Sequence, residues 1–305
     1  MKKLVLFLAL VCSSALAHAA PFSSIVAFGD SEVDNGNRLA LQGTKPGPRY
    51  WQGRHSNGKV SVEIYAETLG ISLLDYGVGG AFTGRGNVDP DPLLADTGLL
   101  DQFDTFASSF ATADPNALYF IYAGANDFNA FGFDAASQNG VLDNYKTLMT
   151  GLVAMGAQHF MVANRAGWDE FSDFLNSELS SFAIATGYDI TFFDSVPVIV
   201  EMEDPNNPFG FTTTDPCYTG GLINGPAPCS TPDETVYWDV RGHLSAAAQA
   251  ILGERMAAAL PGVAIPNSVP EANTVLLILA AMLALGWMRT KRKVAMRPLR
   301  YRNKR

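Results

Sequence analysis

Ser31 ends the tripeptide Gly29-Asp30-Ser31, where the apolar run Ser24 to Ala27 breaks into a Gly/Asn-rich turn ending at Asn37. A short apolar run of this kind reads as a buried strand. A serine at the end of such a strand lies at the sheet edge where open α/β folds place their chemistry. Its hydroxyl becomes a nucleophile when a base takes its proton, a further group orients that base, and N–H donors receive the negative oxygen that forms. Gly-Asp-Ser is also an ordinary turn composition, so the partners have to be found elsewhere in the chain.

Histidine is the usual base. Beyond residue 19 there are three: His55, His159 and His243. His159 opens an apolar run and reads as structural. His55 lies in a polar Gly/Asn loop, where a surface position is the default. His243 follows Asp239 closely in Tyr237-Trp238-Asp239-Val240-Arg241-Gly242-His243 and precedes an Ala-rich helical stretch. A loop with Asp and His at a helix start can present both side chains to one cleft. Two Gly-rich turns offer oxyanion donors. Gly77-Val78-Gly79-Gly80 has backbone N–H groups unshielded by side chains, although a tight strand-to-helix turn would look the same. Gly124-Ala125-Asn126-Asp127 holds an amide side chain that can donate, although an Asx-turn would also explain it.

The elements that must position these residues alternate. Strands are predicted over Ser24–Phe28, Leu73–Val78, Ala117–Ala123, His159–Asn164 and Asp189–Asp194. Helices are predicted over Lys59–Leu69, Leu99–Ala111, Gly140–Met155, Asp169–Thr186 and Ser245–Leu260. Apolar strands separated by amphipathic helices imply a parallel sheet covered on both faces. Three of the predicted strands end in the candidate residues named above. Glu201 to Glu234 is a Pro/Asn/Thr-rich loop whose length suits a lid or binding loop.

The chain has 305 residues and 48% hydrophobic content, enough for one α/β domain and inconsistent with disorder. Residues 1–19 and 289–305 carry 11 of the 21 Lys and Arg residues and no acid, whereas residues 20–270 hold 10 basic and 29 acidic side chains, a net of −19. A surface this acidic excludes nucleic acid as a partner, because that needs a basic footprint. Residues 1–19 have the layout of a signal peptide: Lys2 and Lys3, an apolar core, and Ala17-His18-Ala19. Residues 20–260 form the expected domain and 261–268 a Pro/Gly/Asn linker. Residues 269–293 join Val269-Pro270-Glu271 to an apolar run and a basic cluster, and 294–305 form a basic tail. The terminal segment resembles the PEP-CTERM sorting signals of Gram-negative bacteria, with Ala272 where proline is usual; a plain membrane anchor is the alternative. An exported protein is expected on either account, at the cell surface, in the periplasm or secreted. Its partners would be the export machinery and a sortase-like processing enzyme. The mature chain keeps two cysteines, Cys217 and Cys229, which read as a disulfide in an exported protein.

Taken in order, the blocks FGDSEVDNGN (28–37), RYWQGRHSNGK (49–59), YGVGGAFTG (76–84), AGAND (123–127), NPFGFTTTDPC (207–217) and CSTPDETVYWD (229–239) resemble a GDSL/SGNH-family lipase or esterase over nearly all of Ser24 to Gln249. The resemblance implies a three-layer α/β/α sandwich with a flavodoxin-like parallel sheet, and hydrolysis of carboxylic esters through an acyl-enzyme on Ser31. It implies His243 as base and Asp239 as its partner. The oxyanion hole would comprise the Ser31 N–H, the Gly80 N–H (with Gly79 next in line) and the Asn126 side chain. No metal or cofactor is expected, the substrate would be a lipid or sugar acyl ester, and the protein would be a monomer. Two features depart from the family pattern. Glu32 replaces leucine and is expected to face solvent. Three residues separate Asp239 from His243 where the family has two, which leaves Asp233 or a backbone carbonyl as alternative partners for the base. An acyltransferase, and a non-catalytic surface-displayed binding protein on the same fold, remain open.

Overall fold

The computed structural model describes residues 22–164 and 169–260. The chain divides into two compact units, Met1–Ala264 and Ile265–Arg305, and every described residue belongs to the first. The expected leader (1–19), linker (261–268), sorting segment (269–293) and basic tail (294–305) lie outside the described residues. Among the described residues no helix is long and apolar enough to cross a membrane.

Five strands, β1 (Ser24–Gly29), β2 (Ser72–Asp75), β3 (Leu118–Tyr122), β4 (His159–Ala163) and β5 (Asp189–Phe193), form one sheet in the order β2-β1-β3-β4-β5. All neighbouring pairs are parallel. Among the described residues eight α-helices accompany them: α1 (Asn37–Gln42), α2 (Ser61–Leu69), α3 (Leu99–Ser109), α4 (Ala125–Phe131), α5 (Ala135–Met155), α6 (Asp169–Thr186), α7 (Val196–Glu203) and α8 (Ala246–Ala258).

The central strands β1, β3 and β4 are largely apolar and almost wholly buried because both faces of the sheet are covered there, whereas the edge strands β2 and β5 are partly exposed. On one face Val26, Phe28, Tyr119, Ile121, Phe160 and Val162 pack in one core with Leu99 and Phe106 of α3, Leu148 and Leu152 of α5, and Leu175 of α6. The alternate residues point the other way, where Phe120 meets Tyr65 of α2 edge-on at 6.1 Å; α2 packs against α8 on that side. The expected α/β/α layering is therefore observed. The strand order reverses at β1, since β2 is added on one side of it and β3 on the other. A crevice opens at the carboxyl ends of strands where the order reverses in this way.

The helices missed in the sequence are α1, α4 and α7. Each is six to eight residues long, about two turns, shorter than the window of about 11 residues over which helical periodicity is read. The segment Glu201–Glu234 begins inside α7, so part of the expected loop is helical. Much of the remainder is strapped down. The Cys217–Cys229 disulfide forms, and Cys217 and Tyr218 donate their N–H groups to Tyr237 O and Trp238 O at 3.1 and 2.7 Å.

Candidate active site

The turn after β1 places Ser31. Gln102 of α3 holds Gly29 by two hydrogen bonds, accepting from its N–H at 2.9 Å and donating to its carbonyl at 2.8 Å. The chain then folds back on itself, with Val33 and Asp34 N–H donating to Asp30 O. This tucks Glu32 inward: it is buried, with 4% exposure, rather than facing solvent as expected.

His243 Nε2 lies 2.8 Å from Ser31 Oγ, and His243 Nδ1 lies 3.0 and 2.9 Å from the two oxygens of Asp239. A carboxylate can only accept, so Nδ1 carries the ring proton and Nε2 offers its lone pair to the serine hydroxyl. The three residues are buried together. Asp239 also accepts from Tyr50 Oη at 2.8 Å and from Arg241 N–H at 2.9 Å. Burial alone would raise its carboxyl, but His243, Tyr50 and the Arg241 N–H outweigh burial and hold it well below the usual carboxylate range. The same contacts act on Tyr50: burial and the Asp239 charge push its phenol far above its ordinary value, so it stays a neutral donor.

Gly242 accommodates the extra residue between Asp239 and His243. It adopts φ +81°, in the left-handed region that glycine tolerates, and its N–H returns to Asp239 O at 3.0 Å. The four-residue step thus folds into a tight turn that leaves the two side chains facing each other. Asp233 is exposed on the one-turn helix Pro232–Glu234, away from this arrangement.

The predicted donors converge on the same crevice. Ser31 N–H and Gly80 N–H have no acceptor among the described residues, whereas Gly79 N–H donates to Asp34 Oδ2 at 2.7 Å. Of the two glycines, the donor left unengaged is therefore Gly80. Asn126, in the first turn of α4, donates its amide to Asp30 Oδ2 and Ala81 O, both at 3.1 Å, so it sits against the loop that carries Gly80.

Several residues at the site were missed as such in the sequence. His55 is buried, not on the surface. Its ring centre lies 4.9 Å from that of His243, and neither of its nitrogens has a hydrogen-bond partner among the described residues. Burial first, then the neighbouring His243, pushes its pKa well below the ordinary histidine value. Ser56 Oγ donates to Leu244 O at 2.9 Å, and Asn57 Oδ1 accepts from Ala246 N–H at 2.7 Å. The polar 49–59 loop therefore pins the His243 loop to the start of α8. Its crowding of aromatic and amide residues was the available signal. His159 is remote from the site; it pairs with Asp189 at 2.7 Å across β4 and β5. Among the described residues no group of His, Cys, Asp and Glu could hold a metal ion.

The chain is 27% identical over 274 residues to the thermolabile hemolysin of Vibrio parahaemolyticus, covering 77% of this chain and 63% of that protein. It is 29% identical over 151 residues to the phosphatidylcholine-sterol acyltransferase of Aeromonas hydrophila, covering 47% of this chain and 44% of that protein. The matches thus span about half to two-thirds of these relatives. Among solved structures, a member of the lipolytic G-D-S-L family from Veillonella parvula aligns with TM-score 0.46 at 14% identity over 79% of this chain and 99% of that one. A family two carbohydrate esterase from Clostridium thermocellum aligns with TM-score 0.46 at 16% identity over 78% of this chain and 63% of that one. The profile of GDSL-like lipases and acylhydrolases matches residues 25–256, most of the chain and all four site loops, and the protein belongs to that family.

Proposed function

We propose that the protein is an exported serine esterase that cleaves carboxylic esters through an acyl-enzyme on Ser31. The observation that carries this reading is the unbroken contact chain from Ser31 Oγ through His243 to Asp239, at 2.8 and 2.9 Å. His243 Nε2 takes the serine proton as Oγ attacks the ester carbonyl. The oxygen that becomes negative is received by the N–H groups of Ser31 and Gly80, and by Asn126 once it releases Asp30 or Ala81. His243 then protonates the departing alcohol, and water repeats the sequence to free the acid. Asp239 fixes the imidazole tautomer and balances the imidazolium formed at each step.

The leaving alcohol must stay within reach of His243, so the acyl part extends to the far side of Ser31. Beside the helix that carries Asn126 a cavity of about 460 Å³ is lined by Phe82, Phe131 and Val141, with Arg85, Asp127 and Asn144 among its polar residues. This suits the acyl part of a lipid ester, as do the names of the hemolysin and acyltransferase relatives. The latter also favours a second reading, transfer of the acyl group to an alcohol other than water. Product analysis with an added alcohol acceptor separates the two. A purely binding role would rest on the sorting-like tail, the acidic surface and the irregular Asp–His spacing, of which the Gly242 turn accommodates the last. Export rests on the leader-like residues 1–19 and the sorting-like terminal segment.

The test is Ser31→Ala. Hydrolysis of a short nitrophenyl ester should disappear while the melting transition is kept, and fluorophosphonate labelling of the wild type should be lost in the variant. Retained hydrolysis in Ser31→Ala rules out this mechanism.

A further inference from the structure

The Gly79–Gly80 peptide unit is gripped by groups that take no part in the scheme above. Its carbonyl oxygen, Gly79 O, accepts from Arg38 Nη1 at 2.9 Å and from Asn87 Nδ2 at 3.1 Å. On the preceding peptide, Gly79 N–H donates to Asp34. On the following one, Gly80 O accepts from Val88 N–H at 2.9 Å. Arg38 is only 3% exposed and is itself fixed, pairing with Asp89 and donating through Nε to Gln42 at 2.9 Å. Neither glycine has room for a side chain. A Cβ added at residue 79 would come within 2.1 Å of His55 Nε2, and one at residue 80 within 2.4 Å of Asn87 Oδ1.

A peptide unit is planar and trans, so its C=O and N–H point in opposite directions. Holding Gly79 O therefore fixes where Gly80 N–H points. Donation to a carbonyl oxygen also draws electron density away from the nitrogen, which strengthens the N–H as a donor. A buried guanidinium does this more strongly than a neutral partner. We propose that Arg38, anchored by Asp89, is a positioning residue that aims and polarises the Gly80 N–H toward the oxyanion. The proposal rests on the esterase reading and on Gly80 as a donor. It also explains why a charged side chain is buried in the first helix after the nucleophile: Asp34 caps α1 by accepting from the N–H groups of Gly36 and Asn37 at 2.9 and 2.7 Å. One short segment thus carries Ser31 and two of the three side chains that hold Gly79, Asp34 and Arg38.

The experiment compares Arg38→Gln, Arg38→Lys and Asn87→Ala with wild type on a nitrophenyl ester. It also measures affinity for a trifluoromethyl ketone, which forms the oxyanion on binding. Loss of a whole oxyanion donor costs about 10²–10³-fold in kcat, so a misaimed donor in Arg38→Gln should cost about 10–10²-fold. KM should stay within about twofold and ketone affinity should fall in parallel with kcat. Arg38→Lys, which keeps the charge but not the fork, should fall between. Arg38→Ala should regain rate when guanidinium is added. A folded Arg38→Gln with wild-type kcat, or one whose loss is confined to KM, overturns the proposal. If Arg38→Gln does not fold, Asn87→Ala decides by the same kcat-against-KM criterion. A wild type that fluorophosphonate does not label overturns both readings, whereas a labelled wild type beside an equally fast Arg38→Gln overturns this one alone.

Discussion

Asp239 differs from the other acidic side chains near His243 in what surrounds it. It is fully enclosed, accepts from a phenol and a backbone amide, and faces Nδ1 with both oxygens. Asp239→Asn would place an N–H donor opposite Nδ1 and drive the ring into the wrong tautomer. We expect kcat to fall by about 10³–10⁴-fold, as for such changes in serine hydrolases, while Asp233→Asn stays near wild type. The reverse pattern in steady-state kinetics would displace Asp239. His55 poses a different question, because a buried imidazole with two unbonded nitrogens is costly. Its pKa is lowered in the folded protein, so below about 6.5 the unfolded chain takes up a proton that the folded chain refuses. Stability must then fall as pH falls, by up to about 1.4 kcal/mol per unit from this group. Asp34, raised by burial to about 6, works in the opposite sense but is common to wild type and variant. His55→Leu, which removes the titration and the two unbonded nitrogens without pushing a larger ring onto Gly79, should be at least as stable at pH 8 and lose less stability on acidification to pH 4.5. Parallel denaturation curves for the two proteins across that range would refute this account.

At the level of elements, the central strands were legible because β1, β3 and β4 are short, largely apolar runs buried on both sides, and the edge strands from their place in the strand–helix alternation. The longer helices were legible from their periodicity. The short α4 was not: Gly124-Ala125-Asn126-Asp127 is good turn composition, and only contact with the 81–83 loop shows that a helix starts there, through Asn126 to Ala81 and Asp127 to Thr83. The burial of His55 was equally hidden. Its neighbours Gly79 and His243 come from distant parts of the chain, and nothing local distinguishes a loop that is covered from one that is not. The Asp–His spacing was readable as an anomaly, but its resolution depends on one backbone angle. Gly242→Ala would force a side chain to φ +81°, at about 1–2 kcal/mol. A lower melting temperature with a fall in kcat exceeding any change in KM is the expected result. An unchanged kcat would mean that the turn does not set the position of His243.

Across the molecule, the disulfide ties a surface segment to the catalytic loop. Cys217 and Tyr218 bond to Tyr237 and Trp238, and Tyr218 stacks on Trp238 and meets Tyr50 edge-on. Tyr50 in turn holds Asp239. A bridge across a sequence separation of 12 is worth about 3 kcal/mol by loop closure. Cys217→Ser with Cys229→Ser should therefore melt lower and also lose esterase activity at temperatures where it remains folded. Full activity in the reduced or double-serine protein would show that the brace serves stability alone.

The strand order also fixes when the chemistry can begin. Ser31, Gly80 and Asn126 all belong to the first half of the chain, whereas the imidazole and its carboxylate arrive on a loop near the end of the domain. A chain emerging residue by residue thus exposes its alcohol long before anything can deprotonate it, and the emerging protein is latent by construction. Attack on any nearby ester must wait until the final helix has closed against α2.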